Sequence, residues 1–252
     1  MLFDKIIYGP IHSRRLGVSL GINLMPTDHK LCTFDCIYCE CGFNSPCNAP
    51  HLPTVDQYQS ALEQALSTMD GCPDVLTFSG NGEPTLHPDF LAIMRVTCAL
   101  RDKYCPKAKI SVLSNSTQLG RDDVREALML CDNRILKLDS AIDETMRLID
   151  QPVNNALTVN QIKDYLRLFD GNFILQTCFL RGAYKGHDMD NTTPAEREAW
   201  YQAVRELHPQ QVMMYVIDRA TPISTLEKIS RQEMEQIAQP LIDEGWNVQI
   251  SA

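Results

Sequence analysis

Cys32, Cys36 and Cys39 stand in the stretch LCTFDCIYCE, separated by three and two residues, with Tyr38 directly before the third. Cysteine binds metal as the thiolate, and three thiolates on one short loop repel one another unless a cation lies between them. The spacing therefore points to a metal centre. Three thiolates fit a [4Fe-4S] cluster in which one iron lacks a protein ligand and stays open to a substrate or cofactor. Structural zinc is the competing reading. It prefers four protein ligands, and Cys41, Cys47 or His51 could supply the fourth.

A second cluster of chemistry-bearing residues is SGNGEPT. Gly80 and Gly82 allow a ligand to approach the backbone, Glu83 offers a carboxylate to an ammonium group, and Pro84 stiffens the turn. The stretch lacks the lysine and hydroxyl residue of a phosphate-binding loop. Asn115 in SNST is either a ligand contact or turn chemistry. Asp139 and Ser140 in LDSA either face a ligand or cap the next helix. Gln176 interrupts an apolar run and needs a partner if buried. Arg219 in DRATP offers a fork of donors to a carboxylate or other anion, or an ion pair to Asp218 or another acid. Cys41 and Cys47 read as spare thiols, a structural pair or part of a second metal site, and YKGHDMDNTTP reads as a solvated loop bordering the substrate.

The elements that must position these residues alternate. Apolar runs predict strands at 18–24, 74–80, 109–115, 134–140, 173–182 and 211–219, with a short run at 247–250. Between them, helices start at Thr54, whose Thr54 to Gln57 spacing is a capping box, near Pro88, around 122–130, at Thr193 with a second capping box to Glu196, and at 231–242. Six strand-helix units in series predict an α/β fold, a partial (β/α)6 barrel of parallel strands, with residues 1–252 as one domain. In such folds chemistry sits beyond the carboxyl ends of the strands, where the cysteine loop and the polar clusters fall.

A chain of 252 residues, 44% of them hydrophobic, can bury a sizeable core. The net charge of −9 argues against a broad basic surface for nucleic acid, leaving His12, Arg14 and Arg15 as a local patch at most. No apolar run approaches the roughly 18 residues of a membrane span, and MLFDKIIYGP lacks signal-peptide character, so the expected location is cytoplasmic. Ten cysteines in such a chain suggest metal or redox use for the clustered ones. The scattered Cys72, Cys98, Cys105, Cys131 and Cys178 read as small buried hydrophobes.

The triplet Cys32, Cys36, Cys39 with Tyr38 inside it resembles the signature of the radical S-adenosylmethionine superfamily, and GNGEP resembles its glycine-glutamate-proline motif. YGPIHSRRLGVSLGINL, NGEPTLHPDF, LKLDSAIDETMRLIDQP and MMYVIDRATP are similar to the compact enzymes grouped with the tRNA-modifying wyosine synthetase. The resemblance implies that the three cysteines ligate a [4Fe-4S] cluster whose fourth iron chelates S-adenosylmethionine. It implies that Tyr38 packs near the adenine, and that Gly80, Asn81, Gly82 and Glu83 hold the methionine amino group. Asn81 stands where a second glycine is usual. Asn115, Asp139 and Ser140 become candidates for the ribose and carboxylate, with Gln176 and Arg219 as further contacts. The implied reaction is reductive cleavage to a 5′-deoxyadenosyl radical that abstracts hydrogen from a small molecule, peptide or RNA. A one-electron donor such as flavodoxin or ferredoxin would drive it. Two other functions fit the residues: a zinc- or cluster-stabilised binding module, and an activase that installs a radical on a partner protein.

Overall fold

The computed structural model describes residues 2–13, 15–46 and 50–252. Arg14 of the candidate basic patch and Cys47 of the candidate zinc set lie outside them. The chain divides into two compact units, Met1–Cys32 with Asn44–Ile135, and Thr33–Phe43 with Leu136–Ala252.

In the first unit the order is β1 (Ile7–Ser13), β2 (Gly17–Ile22), α1 (Val55–Thr68), β3 (Val75–Phe78), a 3₁₀ turn (Pro84–Leu86), α2 (Phe90–Tyr104), β4 (Lys109–Ser114), α3 (Asp122–Leu130) and the start of β5 (Asn133–Lys137). β2, β3 and β4 are parallel, with Leu20 opposite Leu76 and Leu76 opposite Ile110. All four residues of β3 are buried, as a parallel strand covered on both faces requires. Thr54 and Gln57 form the expected capping box, and Tyr58, Leu62 and Leu66 of α1 turn inward at helical spacing. The Tyr58 hydroxyl meets Thr97 Oγ1 at 2.6 Å, and Phe78 packs edge-on against Phe90 at 5.7 Å.

Three features depart from the sequence reading here. Pro88 does not open α2, because the helix is capped at Asp89 and starts at Phe90, after the separate 3₁₀ turn. β1, which pairs antiparallel with β2, is masked in the sequence by Gly9-Pro10. The ladder shifts register between Tyr8 and Ile11, where a proline without an N–H is tolerated. Cys72 and Cys105 are joined in a disulfide with Cα atoms 5.6 Å apart, so they are not separate small hydrophobes. Cys131 is buried as expected.

The second unit holds the end of β5, α4 (Asp143–Asp150), α5 (Val159–Arg167), β6 (Ile174–Tyr184), β7 (His187–Asp190), α6 (Pro194–Leu207), β8 (Gln211–Val216), β9 (Leu226–Lys228), α7 (Arg231–Asp243) and β10 (Val248–Ser251). β6, β8 and β10 are parallel neighbours, while β7 and β9 pair antiparallel with the outer half of β6. The expected loop at 187–190 is thus a strand. Lys185 and Gly186, both at positive φ (52° and 81°), make the tight turn that a hairpin of this length demands. Trp200 on α6 packs edge-on against Phe179 at 5.1 Å and donates Nε1–H to Thr177 Oγ1 at 2.9 Å.

Of the expected parallel strands, β2, β3 and β4 pair in parallel in the first unit, and β6, β8 and β10 do so in the second. The fold is mixed α/β with mostly parallel strands. Among the described residues no helix is long and apolar enough to cross a membrane.

Candidate active site

Cys32 closes the first unit, and its backbone is clasped by one side chain. Asn44 accepts the Cys32 N–H at 3.0 Å and donates to its carbonyl at 3.1 Å. One residue earlier, Leu31 bridges Gly82: Leu31 N–H donates to the Asn81 carbonyl at 2.9 Å, and Glu83 N–H to the Leu31 carbonyl at 3.1 Å. A Cβ on Gly82, whose φ is 152°, would stand 1.7 Å from the Leu31 oxygen, so only glycine lets these two segments touch.

The polar residues of the same turn look inward. Asn81 is fully buried, takes Phe3 N–H on Oδ1 at 2.8 Å, and donates Nδ2–H to the carbonyls of Phe3 and Pro26 at 2.8 Å. Its backbone N–H is bound by Asn23 Oδ1 at 3.0 Å. Glu83 is 2% exposed, with Oε1 accepting from Thr85 N–H and hydroxyl and Oε2 from Asn115 N–H at 2.7 Å. Burial pushes its carboxyl up, against these hydrogen bonds. Glu83 thus ties the turn after β3 to the turn after β4. Asn115 Oδ1 closes its own turn on Thr117, and its Nδ2–H points at Cys32 Sγ, 3.4 Å away.

In the second unit the cysteine stretch pairs with the chain that leaves α4. Ile37 N–H donates to the Ile149 carbonyl at 3.0 Å, Asp35 N–H to the Asp150 carbonyl at 2.9 Å, and Val153 N–H to the Thr33 carbonyl at 2.9 Å. Cys39 N–H turns back to the Cys36 carbonyl at 3.0 Å. Behind Cys36 lies a buried ionic group that the sequence reading did not single out. Lys137, the last residue of β5, has Nζ 3.5 Å from Cys36 Sγ, 2.9 Å from Asp139 Oδ2, and in direct contact with Asp150 Oδ1. Burial alone would disfavour the ammonium, but Asp139 and Asp150 hold it well above its ordinary value. Burial, with Asp139 adding to it, pushes the Asp150 carboxyl up to about 7 despite Lys137. The missed signal was a lysine inside the apolar run RILKL, the same anomaly that drew attention to Gln176.

Asp139 is a hub in this unit. It accepts Cys178 N–H at 2.9 Å, contacts the half-buried Tyr38 hydroxyl, and gives its carbonyl to Asn191 Nδ2–H at 2.8 Å. Burial and then Asp139 push the Tyr38 phenol well up. Ser140 donates to Glu196 Oε2 at 2.7 Å, and Thr145 takes the other oxygen at 2.5 Å. Glu196 is therefore drawn away from the second expected capping box, of which only the Thr193 half forms. Gln176 lies within β6, not at its end, with Nε2 3.4 Å from Met213 Sδ on the paired strand. Arg219, after β8, is exposed and meets Glu40 at 2.8 Å in place of its neighbour Asp218, which pairs with Lys228. A cavity of about 510 Å³ is lined by Asp35, Arg147, Gln151, Tyr184, Lys185 and His187 among others.

Among the described residues no three His, Cys, Asp or Glu side chains gather around a point where a single ion would sit. A cluster does not ask for that, because each thiolate binds a different iron. Its thiolates do want hydrogen-bond donors, and Asn115 and Lys137 supply one each to Cys32 and Cys36.

No family model matches the chain. It is 29% identical over 240 residues to "GTPase Obg" of Brachyspira hyodysenteriae, covering 93% of this chain and 33% of that protein. It is 26% identical over 232 residues to a UPF0026 protein of Helicobacter pylori (91% and 71%) and 32% identical over 171 residues to one of Methanocaldococcus jannaschii (67% and 50%). The chain thus spans between 33% and 71% of these three relatives' lengths. Among solved structures it superposes on a radical SAM methyltransferase of Sphaerobacter thermophilus (TM-score 0.61, 14% identity, 92% of this chain and 65% of that one). It also superposes on SuiB of Streptococcus suis bound to S-adenosylmethionine (0.65, 13%, 92% and 50%) and on TYW1 with a lysine-pyruvate adduct bound (0.61, 13%, 90% and 74%). The chain shares the fold of these solved structures, and its cysteine triplet and glycine-glutamate-proline turn resemble the signature of the radical S-adenosylmethionine superfamily.

Proposed function

We propose that this chain is a radical S-adenosylmethionine enzyme in which Cys32, Cys36 and Cys39 hold a [4Fe-4S] cluster. The observation that carries the reading is the provision of N–H donors to the sulfurs, Asn115 to Cys32 and Lys137 to Cys36, on a stretch fixed by backbone pairing. When bound, the cluster and S-adenosylmethionine would supply the electron transfer and the carbon radical that abstracts hydrogen from substrate. The chain's own part is positional. Gly82 and Glu83 fix the turn that would face the methionine amino group, with Asn81 anchoring it from within. Asp139 holds the Tyr38 hydroxyl, so that the ring would pack beside the adenine when the cofactor is bound, and Arg219, on the surface, is a candidate for an anionic group of cofactor or substrate. The GTPase activity in the name of the longer relative, a third of whose length this chain matches, is not carried over to these residues.

The test is anaerobic reconstitution with iron and sulfide, then dithionite and S-adenosylmethionine, following 5′-deoxyadenosine by mass spectrometry. The unmutated protein is expected to form it and a Cys32, Cys36, Cys39→Ala variant is not. A colourless protein that takes up one zinc and no iron would return the chain to the class of binding modules.

A further inference from the structure

We propose that Lys137 is a positioning residue for the cluster, its ammonium donating an N–H···S hydrogen bond to Cys36 that raises the cluster's reduction potential. The inference rests on the functional reading above. Lys137 is not a surface lysine that happens to lie nearby. Its side chain is 10% exposed, held between Asp139 and Asp150, with Nζ over the rings of Phe34 at 4.9 Å and Tyr38 at 5.5 Å. Cys36 is fixed from the same side, because Asp35 and Ile37 pair with the backbone of Asp150 and Ile149. The chain that supplies a carboxylate to Lys137 therefore also supplies the backbone that holds Cys36. Two constraints with one origin set the 3.5 Å between Nζ and Sγ.

A hydrogen bond to a ligating thiolate draws electron density from it and so favours the reduced cluster, which carries one more negative charge. Hydrogen bonds to the sulfurs and local charge are among the terms that set cluster potentials. Burial strengthens the bond because little water screens it. The electron comes from an external one-electron reductant, and the N–H is donated to the sulfur without being transferred.

Lys137 could instead serve only to neutralise two buried acids, and the experiment must separate these roles. Lys137→Met with Asp150→Asn removes the donor together with one carboxylate, leaving the formal charge of the group unchanged. Lys137→Arg keeps a cationic donor. Each full-length protein is reconstituted, assayed for iron and sulfide, and titrated anaerobically by electron paramagnetic resonance. The double variant is expected to show about a tenfold lower ratio of reduced to oxidised cluster at a fixed potential, a shift of about 59 mV to more negative values. Lys137→Arg is expected to restore most of it. A double variant with full iron and sulfide that titrates like the unmutated protein overturns the proposal. Pulsed resonance on the reduced unmutated protein carrying ¹⁵N-lysine needs no folded double variant. A nitrogen coupling that vanishes in Lys137→Arg supports the contact, and its absence overturns it. Failure of the unmutated protein to take up iron and sulfide is read before any titration, and would instead remove the functional reading itself.

Discussion

Cys32 and Cys36 lie four residues apart and are held by opposite means. The groups that touch Cys32 and its neighbour Leu31 are uncharged: a glycine with no room for a Cβ, an amide clasp from Asn44, and an amide donor from Asn115. Around Cys36 the hold is electrostatic, a buried lysine between two aspartates with aromatic rings against it. The first arrangement is intolerant of volume. The second tolerates shape better than charge, because removing one member leaves another ion buried without its partner.

That contrast can be broken first at its geometric end. Gly82→Ala forces a methyl group onto the Leu31 carbonyl at a backbone angle that alanine avoids, and is expected to cost about 3–5 kcal/mol in urea denaturation of the metal-free protein. At the electrostatic end, Lys137→Met is expected to cost about 3–4 kcal/mol by the same measurement, with Asp150→Asn added to it recovering most of the loss. Equal losses in the single and double variants would show that packing, not charge, holds Cys36.

A pH series sharpens the comparison further. The Asp150 carboxyl is raised when folded, so the folded state binds more protons than the unfolded state between the ordinary carboxylate range and about 7. Its contribution to stability is fully present below that ordinary range and is lost as pH rises through about 7. Asp150→Asn is therefore expected to flatten the fall in unfolding free energy over pH 4–7, while Asn115→Ala leaves that slope unchanged. The smallest effect belongs to the exposed Arg219–Glu40 pair, where Arg219→Ala is expected to change stability by under about 1 kcal/mol. A drop in S-adenosylmethionine affinity at unchanged stability would assign Arg219 to the ligand, and no drop would leave it a surface ion pair.

The turns and starts of the elements were legible wherever a local rule decides them. Thr54 with Gln57 capped α1 as read, and the apolar runs at 74–80, 109–115 and 173–182 contain β3, β4 and most of β6. β1 and β7 were not legible, since Gly9-Pro10 and the charged HDMD hide their alternation and only pairing with β2 and β6 makes them strands. The second capping box failed for a similar reason. Glu196 has the right spacing to cap α6, but Ser140 and Thr145, more than fifty residues away in the chain, compete for its oxygens at a buried position.

The sequence alone determined what depends on residue type and short spacing: three thiols with Tyr38 beside the last, glycines where the backbone must come close, and the alternation of strands and helices. Only the tertiary structure decided which side chains those residues would meet. Lys137 reaches Cys36 across 101 residues, and Cys72 reaches Cys105 across 33. Glu83, read as a hand for the ligand, spends both oxygens on Thr85 and Asn115. The physical reason is that a buried polar group must find a partner, and which partner is within reach is a property of packing, not of neighbours along the chain.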